Sequence, residues 1–364
     1  MAGARNSGQG REEKMEFGMF MDFYSTPGLT QTEVFREAFE LVDLAEESGL
    51  DSVWLGESHF NPRRSVLSAP IVVASSIASR TKRLKVGMAV QVLPLISPLR
   101  IAEEAATVDQ ISEGRFEFGV GRSGNVRAYE VMGIPYEESR ERFQEALDII
   151  LEAWKGEPFS YEGKFNHITD ATVSPTPYQK PHPVVRIASS GEDSFARVGR
   201  LGYPIFLSMR GMDVHDLETN LKEYHKAWKD AGHPGKGDIS VRVPVYIGLS
   251  EEAAVQEPKE SIEAYFSRMR RFFDENENVR GGTDPSSPRQ ARAQRMANMT
   301  YEDILDTKVI FGTAESVTEK LAQFKETLGL SAFTAELNPG GQLPKEAVYR
   351  SLKLLTEKVM PAFA

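Results

Sequence analysis

Short apolar runs alternate along this chain with longer segments in which apolar residues return every three or four positions, the spacing of a buried helical face. The first run is "FGMFMDF", residues 17–23. In the segment after it, "LTQTEVFREAFELVDLAEESGL", Val34, Ala38, Leu41 and Ala45 fall on one side of a helix. Thr30 and Glu33 have capping-box spacing, and Gly49 is placed to stop the helix. "DSVWL" then reads as a strand, "SAPIVVASSIASR" as a helix with Pro70 in its first turn, and "LKVGMAVQVL" as a strand. A helix entered through Ser97 and Pro98 ends near Gly114, and the strand "RFEFGVG" leads to the helix "EESRERFQEALDIILEAW". The Pro-rich stretch 159–183 reads as a small hairpin and an extended connection. Alternation resumes with the strands "VVRIAS", "PIFLSM", "SVRVPVYIGLS" and "SAFTAEL", each followed by a helical pattern.

Eight strands, each followed by helix, predict an α/β fold with a single (β/α)8 TIM barrel over residues 15–364. Several strands are apolar on both faces, as parallel strands covered by helices are. A doubly wound open sheet is the other arrangement, but no GxGxxG follows the first strand. Residues 1–14 are polar and read as a flexible leader, and the polar stretch 274–300 reads as a mobile lid inserted at the barrel's C-terminal face.

Composition narrows the function classes. The chain has 364 residues, 40% hydrophobic and 26% charged, as an ordinary globular protein has. No run is long enough to span a membrane, and no apolar signal segment opens the chain, so a cytoplasmic location is expected. There is no Cys, hence no disulfide, thiolate nucleophile or Cys-ligated metal. A net charge of −10 without a basic tract argues against nucleic acid.

In a barrel, chemistry gathers where strands end. There the sequence puts Glu57, Ser58 and His59 after the second strand, "GRSGN" after the fourth, "SSGED" after the fifth and "SMRG" after the sixth. Ser189, Ser190 and Gly191 lead into a helix N-terminus, whose free N–H groups favour an anion, and Arg122 could supply a bidentate countercharge. The same serines could be a plain helix cap and Arg122 a salt-bridge partner. Glu192 and Asp193, at the same helix start, count mildly against phosphate. His59 has no second ligand at metal-binding spacing, and no GxSxG elbow is present. Glu57 leaves a two-carboxylate glycosidase open.

The stretch "VGMAVQVLPLISPLRIAEEAATVDQISEGRFEFGVGRSG", with "WLGESHF" and "NPGGQLPKEAVYRSLKLLTEKVMP", resembles the bacterial luciferase-like flavin-dependent monooxygenases from about Phe17 to Pro361. That resemblance implies reduced FMN delivered by a separate reductase and a peroxyflavin that oxidises an aldehyde, ketone or similar compound. It implies phosphate binding by Arg122, Ser189, Ser190, Gly191 and Ser194. It places Glu57 near the flavin, Ser208 and Met209 beside the ring, and a bend at Ala89 and Val90, often a non-prolyl cis peptide, beneath it. His59 and Ser58 are the catalytic candidates, with Ser58 standing where the family motif usually has His and Gly121 where luciferase has Cys. Deazaflavin-dependent hydride transfer and a non-catalytic partner subunit are the alternatives. Pairing as a homodimer or heterodimer of barrels is implied, with the apolar helix at 68–79 as the candidate face.

Overall fold

The computed structural model describes residues 14–277 and 294–364. Nearly all of the expected leader, and the central part of the expected lid (278–293), lie outside the described residues.

Eight parallel strands close into a barrel: β1 (Glu16–Met21), β2 (Ser52–Leu55), β3 (Lys85–Met88), β5 (Phe116–Gly121), β8 (Val184–Ala188), β9 (Ile205–Ser208), β10 (Ile239–Ile247) and β12 (Ala332–Glu336). Closure comes from β10, which pairs with both β9 and β12, while β12 pairs with β1. Among the helices between them are α1 (Gln31–Glu47), α2 (Pro70–Arg80), α3 (Pro98–Ser112), α5 (Ser139–Ala153), α6 (Glu192–Leu201), α7 (Val214–Asp230), α11 (Ala314–Leu328) and α12 (Lys345–Leu354). All eight strands stand where the alternation places them. The 159–183 stretch holds the expected hairpin, β6 (Phe159–Glu162) against β7 (His167–Ala171).

Local chemistry explains the helix ends. Thr30 and Glu33 form a reciprocal capping box on α1, and Gly49, at φ +86°, follows its last turn. Thr30→Ala is expected to cost about 1 kcal/mol, read as a small fall in urea midpoint at unchanged slope. The buried stripe of α1 is Val34, Ala38, Val42 and Ala45. Leu41 is half-buried beside it, because at 100° per residue positions 41 and 42 both border the stripe and the barrel wall takes the second. Helix α2 buries Ile71, Val73, Ala74, Ile77 and Ala78 against the barrel, so wall packing accounts for its apolar character, and Val72 alone of its large apolar residues is exposed, at 63%.

The third strand is broken where the resemblance implies a bend: β3 ends at Met88, the Ala89–Val90 peptide is cis, and β4 (Gln91–Val92) resumes pairing with β5. Two features differ from the expectation. A short helix, α4 (Val126–Val131), follows β5. After β10 come α8 (Glu251–Gln256), α9 (Lys259–Glu277), α10 (Tyr301–Thr307) and β11 (Ile310–Gly312), which extends the sheet beside the upper half of β10.

The main core lies between barrel and helices. A separate apolar plug of Phe20, Trp54 and Phe206 fills the lumen, with Trp54 and Phe206 5.1 Å apart. The Trp54 indole has room because its neighbours are glycines: a Cβ on Gly87 would lie 2.3 Å from its ring and one on Gly18 2.9 Å. Below the plug, Arg186 is paired with Glu117 at 3.2 Å and Asp238 at 2.8 Å. Above it begins the mouth.

Candidate active site at the barrel mouth

Glu57 leaves β2 with its side chain 4% exposed and joins two elements. Its Oε1 lies 2.7 Å from His59 Nε2. Its Oε2 accepts from Gln91 Nε2 at 2.7 Å and from the Val92 N–H at 3.0 Å, just past the cis peptide. One carboxylate thus holds both His59 and the bend of the third strand. Ser58 is buried beside them, and Asn125 Nδ2 donates to the His59 carbonyl at 3.4 Å.

The bend sits against small residues. A Cβ on Gly121 would come within 2.7 Å of Val90 Cγ2 and 3.7 Å of the Ala188 Cβ. A Cys there would collide with Val90, so glycine at 121 and valine at 90 are matched in size. Ala89 and Ala188 pack on the lumen plug, leaving a low floor.

Arg122 and Ser189 are brought together by register: Val120 pairs with Ile187, and each residue lies two positions beyond that pair. Arg122 Nη1 donates to Ser139 Oγ at 3.1 Å. Among the described residues neither Arg122 nor Arg197, on α6, has a carboxylate partner. Burial lowers the Arg197 pKa, and the nearby Arg122 and Arg140 charges lower it further. Gly191 is the N-cap of α6 and no side chain caps the helix. Ser194 turns its hydroxyl back to the Gly191 carbonyl, Ser190 is exposed, and the Ser189 hydroxyl is buried without a hydrogen-bond partner. The cap and salt-bridge alternatives for this segment therefore find no support among the described residues: the helix start is open and Arg122 is unpaired.

Of the sixth-strand pair, Ser208 shares the lumen side with Phe206, two residues earlier. Met209 is 1% exposed and packs in the main core. Its side chain faces away from the lumen, as the two-residue period of a strand requires.

Sequence reasoning passed over the other half of the mouth. Asp22 takes two hydrogen bonds from Arg64, at 2.6 and 2.9 Å. Glu336 is paired with Arg242 at 2.6 Å and accepts from the Tyr24 hydroxyl and, at 3.2 Å, from that of Tyr265. Arg242 also lies 3.2 Å over the Phe20 ring. Burial, and then the charge of Glu336, push the Tyr265 phenol up to about 12 and raise Tyr24 well above its ordinary value. The signal was a charged residue at a lumen-facing position of an otherwise apolar strand, as in "SVRVPVYI" and "SAFTAEL". No group of three His, Cys, Asp or Glu suited to a metal occurs among the described residues. Among them no helix is long and apolar enough to cross a membrane.

The family model for luciferase-like monooxygenases matches residues 15–331. The chain belongs to that family. It is an enzyme of the flavin-dependent oxidoreductase type. The oxygenase component of the flavin-dependent trigonelline monooxygenase of Acinetobacter baylyi is 25% identical over 92% of this chain and 91% of its own length. Two solved structures share the fold. One is the oxygenating constituent of 3,6-diketocamphane monooxygenase from Pseudomonas putida, in complex with FMN, with TM-score 0.79, 22% identity and 96% and 98% of the two chains covered. The other is the coenzyme F420-dependent tetrahydromethanopterin reductase of Methanopyrus kandleri, with TM-score 0.72, 19% identity and 96% and 100% covered.

Proposed function

We propose that this luciferase-like monooxygenase is the oxygenase component of a two-component system. It takes reduced FMN from a separate flavin reductase and uses dioxygen to oxidise a small or medium organic substrate such as an aldehyde or ketone. The observation that carries this reading is the meeting of unpaired Arg122 with the open N-terminus of α6, beside a floor of small residues. The buried, partnerless Ser189 Oγ and Gln91 Oε1 fit a polar cofactor that supplies their missing bonds. The name of the Acinetobacter relative, an oxygenase component, and the FMN complex of the Pseudomonas one point the same way.

FMN, when bound, supplies the reaction with dioxygen. The protein's own groups divide the remaining work. Arg122, Ser189, Ser190, Ser194 and the Gly191 amide hold the phosphate. Ala89, Val90 and Ser208 line the ring position; Met209 contributes backbone only. Glu57 fixes the His59 ring through Nε2 and leaves Nδ1 to exchange a proton, and the buried Ser58 is the adjoining hydroxyl in the chain. The apolar plug below excludes water. Pairing with a second barrel, as homodimer or heterodimer, belongs to the same reading.

Anaerobic titration with reduced FMN tests it. Saturable binding is expected, weakened on the order of 10- to 100-fold by Arg122→Ala, since a charge-assisted pair is lost. Binding that ignores Arg122 would reject the seat. An F420-dependent reading has the Methanopyrus neighbour in its favour. Oxygen uptake with reduced FMN and substrate separates the two, because hydride transfer consumes no dioxygen. Turnover by the chain alone excludes a non-catalytic partner role.

A further inference from the structure

Around the eight-stranded ring, β12 lies four places from β5 in either direction, so Glu336 and Arg122 stand on opposite sides of the mouth. Two further guanidinium groups join the Glu336 side. Arg210, just past β9, lies 5.8 Å over the Tyr265 ring, and Arg268, on α9, lies 5.8 Å over that of Tyr24. With Arg64 and Arg242 they make four positive charges against the two carboxylates of Asp22 and Glu336, an excess of two. The tyrosines do not offset it, since both phenols are held neutral at ordinary pH.

The carboxylates are already committed to Arg64 and Arg242. Among the described residues the acceptor for Arg210 is the Met269 sulfur, at 3.2 Å, and that for Arg268 the Gly340 carbonyl, at 2.6 Å. Neither has a carboxylate within ion-pair distance among the described residues. Burial lowers the Arg268 pKa and the Arg64 charge adds to the effect, while Tyr24 and Asp22 offset part of it. Half-buried cations without counter-ions are costly, and an arriving anion relieves that cost. A planar guanidinium matches a carboxylate through two parallel hydrogen bonds.

We propose that this side of the mouth seats the carboxylate of an anionic substrate, bound by Arg210 and Arg268. The oxidation that follows rests on the FMN reading; the binding does not. The apolar plug and small-residue floor lie between this seat and Arg122, so a compact substrate held here by its carboxylate presents its other end to the cofactor position.

Acetate and benzoate, each against its neutral amide, are the probes, titrated calorimetrically into the flavin-free protein at low salt. At least one acid is expected to bind tenfold or more tighter than its amide. Arg210→Gln and Arg268→Gln should each erase that preference while leaving the weak amide binding within twofold, and Arg210→Lys should restore part of it. Equal binding of acid and amide by the unaltered protein, or a preference that survives both glutamine variants, overturns the proposal. Reduced FMN is titrated in parallel. If it does not bind, the FMN reading falls while the carboxylate preference stands. If Arg210→Gln loses FMN and Arg122→Ala keeps it, these arginines serve the flavin phosphate and the proposal is overturned.

Discussion

Gly119→Ala is expected to lose about 4 kcal/mol or more of folding stability, enough to leave little soluble barrel. A Cβ on Gly119 would lie 1.7 Å from the Met88 carbonyl oxygen. That oxygen belongs to backbone, so no rotamer change relieves the clash. Strands β3 and β5 would have to part at Met88, the last residue of β3, just before the Ala89–Val90 bend and before β4 resumes the pairing. The displacement would pass to Trp54, whose ring is the next nearest group at 3.6 Å. Gly191→Ala is the control. Its Cβ meets nothing within 4 Å and its φ is an ordinary −121°, so only the N-cap preference for glycine is lost, at about 1 kcal/mol or less. Urea melts of the two variants check the contrast. A Gly119→Ala protein with an unchanged midpoint would show that the two strands can separate cheaply.

The strands were legible because parallel strands covered by helices on one side and filled by lumen residues on the other read as unbroken apolar runs. What escaped notice was short or depended on closure. β11 has three residues and gains its place by pairing with the overhang of β10, a partner no local pattern announces. Leu41 and Val42 border the buried stripe from opposite sides, 100° apart on the helical wheel, and only packing against the wall chooses between them. The break in the third strand does not show in the apolar pattern of "LKVGMAVQVL"; only the family resemblance implied it, at Ala89 and Val90.

The site divides in the same way. Counting strand ends was enough to place Glu57, His59, Arg122 and Ser189 at the mouth, because a barrel sends every strand terminus there. Met209, expected beside the ring, turns its side chain into the main core, since its neighbour Ser208 already takes the lumen side of the pleat. The Asp22, Arg64, Arg242 and Glu336 network was missed because each residue, taken alone, is one polar position in a strand or loop. Only ring closure puts β10, β12 and β1 side by side and turns separate charges into paired ones. The bulk net charge of −10 gives no hint of a mouth whose far side carries two surplus positive charges.

Glu57→Ala should lower turnover on the order of 10²- to 10³-fold, measured as substrate-dependent oxygen uptake with reduced FMN. The loss has two sources that one carboxylate joins. His59 loses the acceptor that orients its ring at 2.7 Å, and the Val92 N–H and Gln91 amide lose theirs at 3.0 and 2.7 Å. Because the side chain is almost fully buried, water replaces the missing oxygens poorly, and the bend of the third strand loosens beneath the cofactor position. His59→Ala should lose a comparable factor, and the double variant little more than either single one, since two groups acting as a unit give non-additive losses. A merely structural Glu57 predicts something else: losses in the double variant that multiply, with the deficit in KM and melting temperature instead of kcat. Near-normal kcat in a well-folded Glu57→Ala protein would remove the Glu57–His59 pair from the chemistry and leave Ser58 as the remaining proton-bearing candidate on that strand.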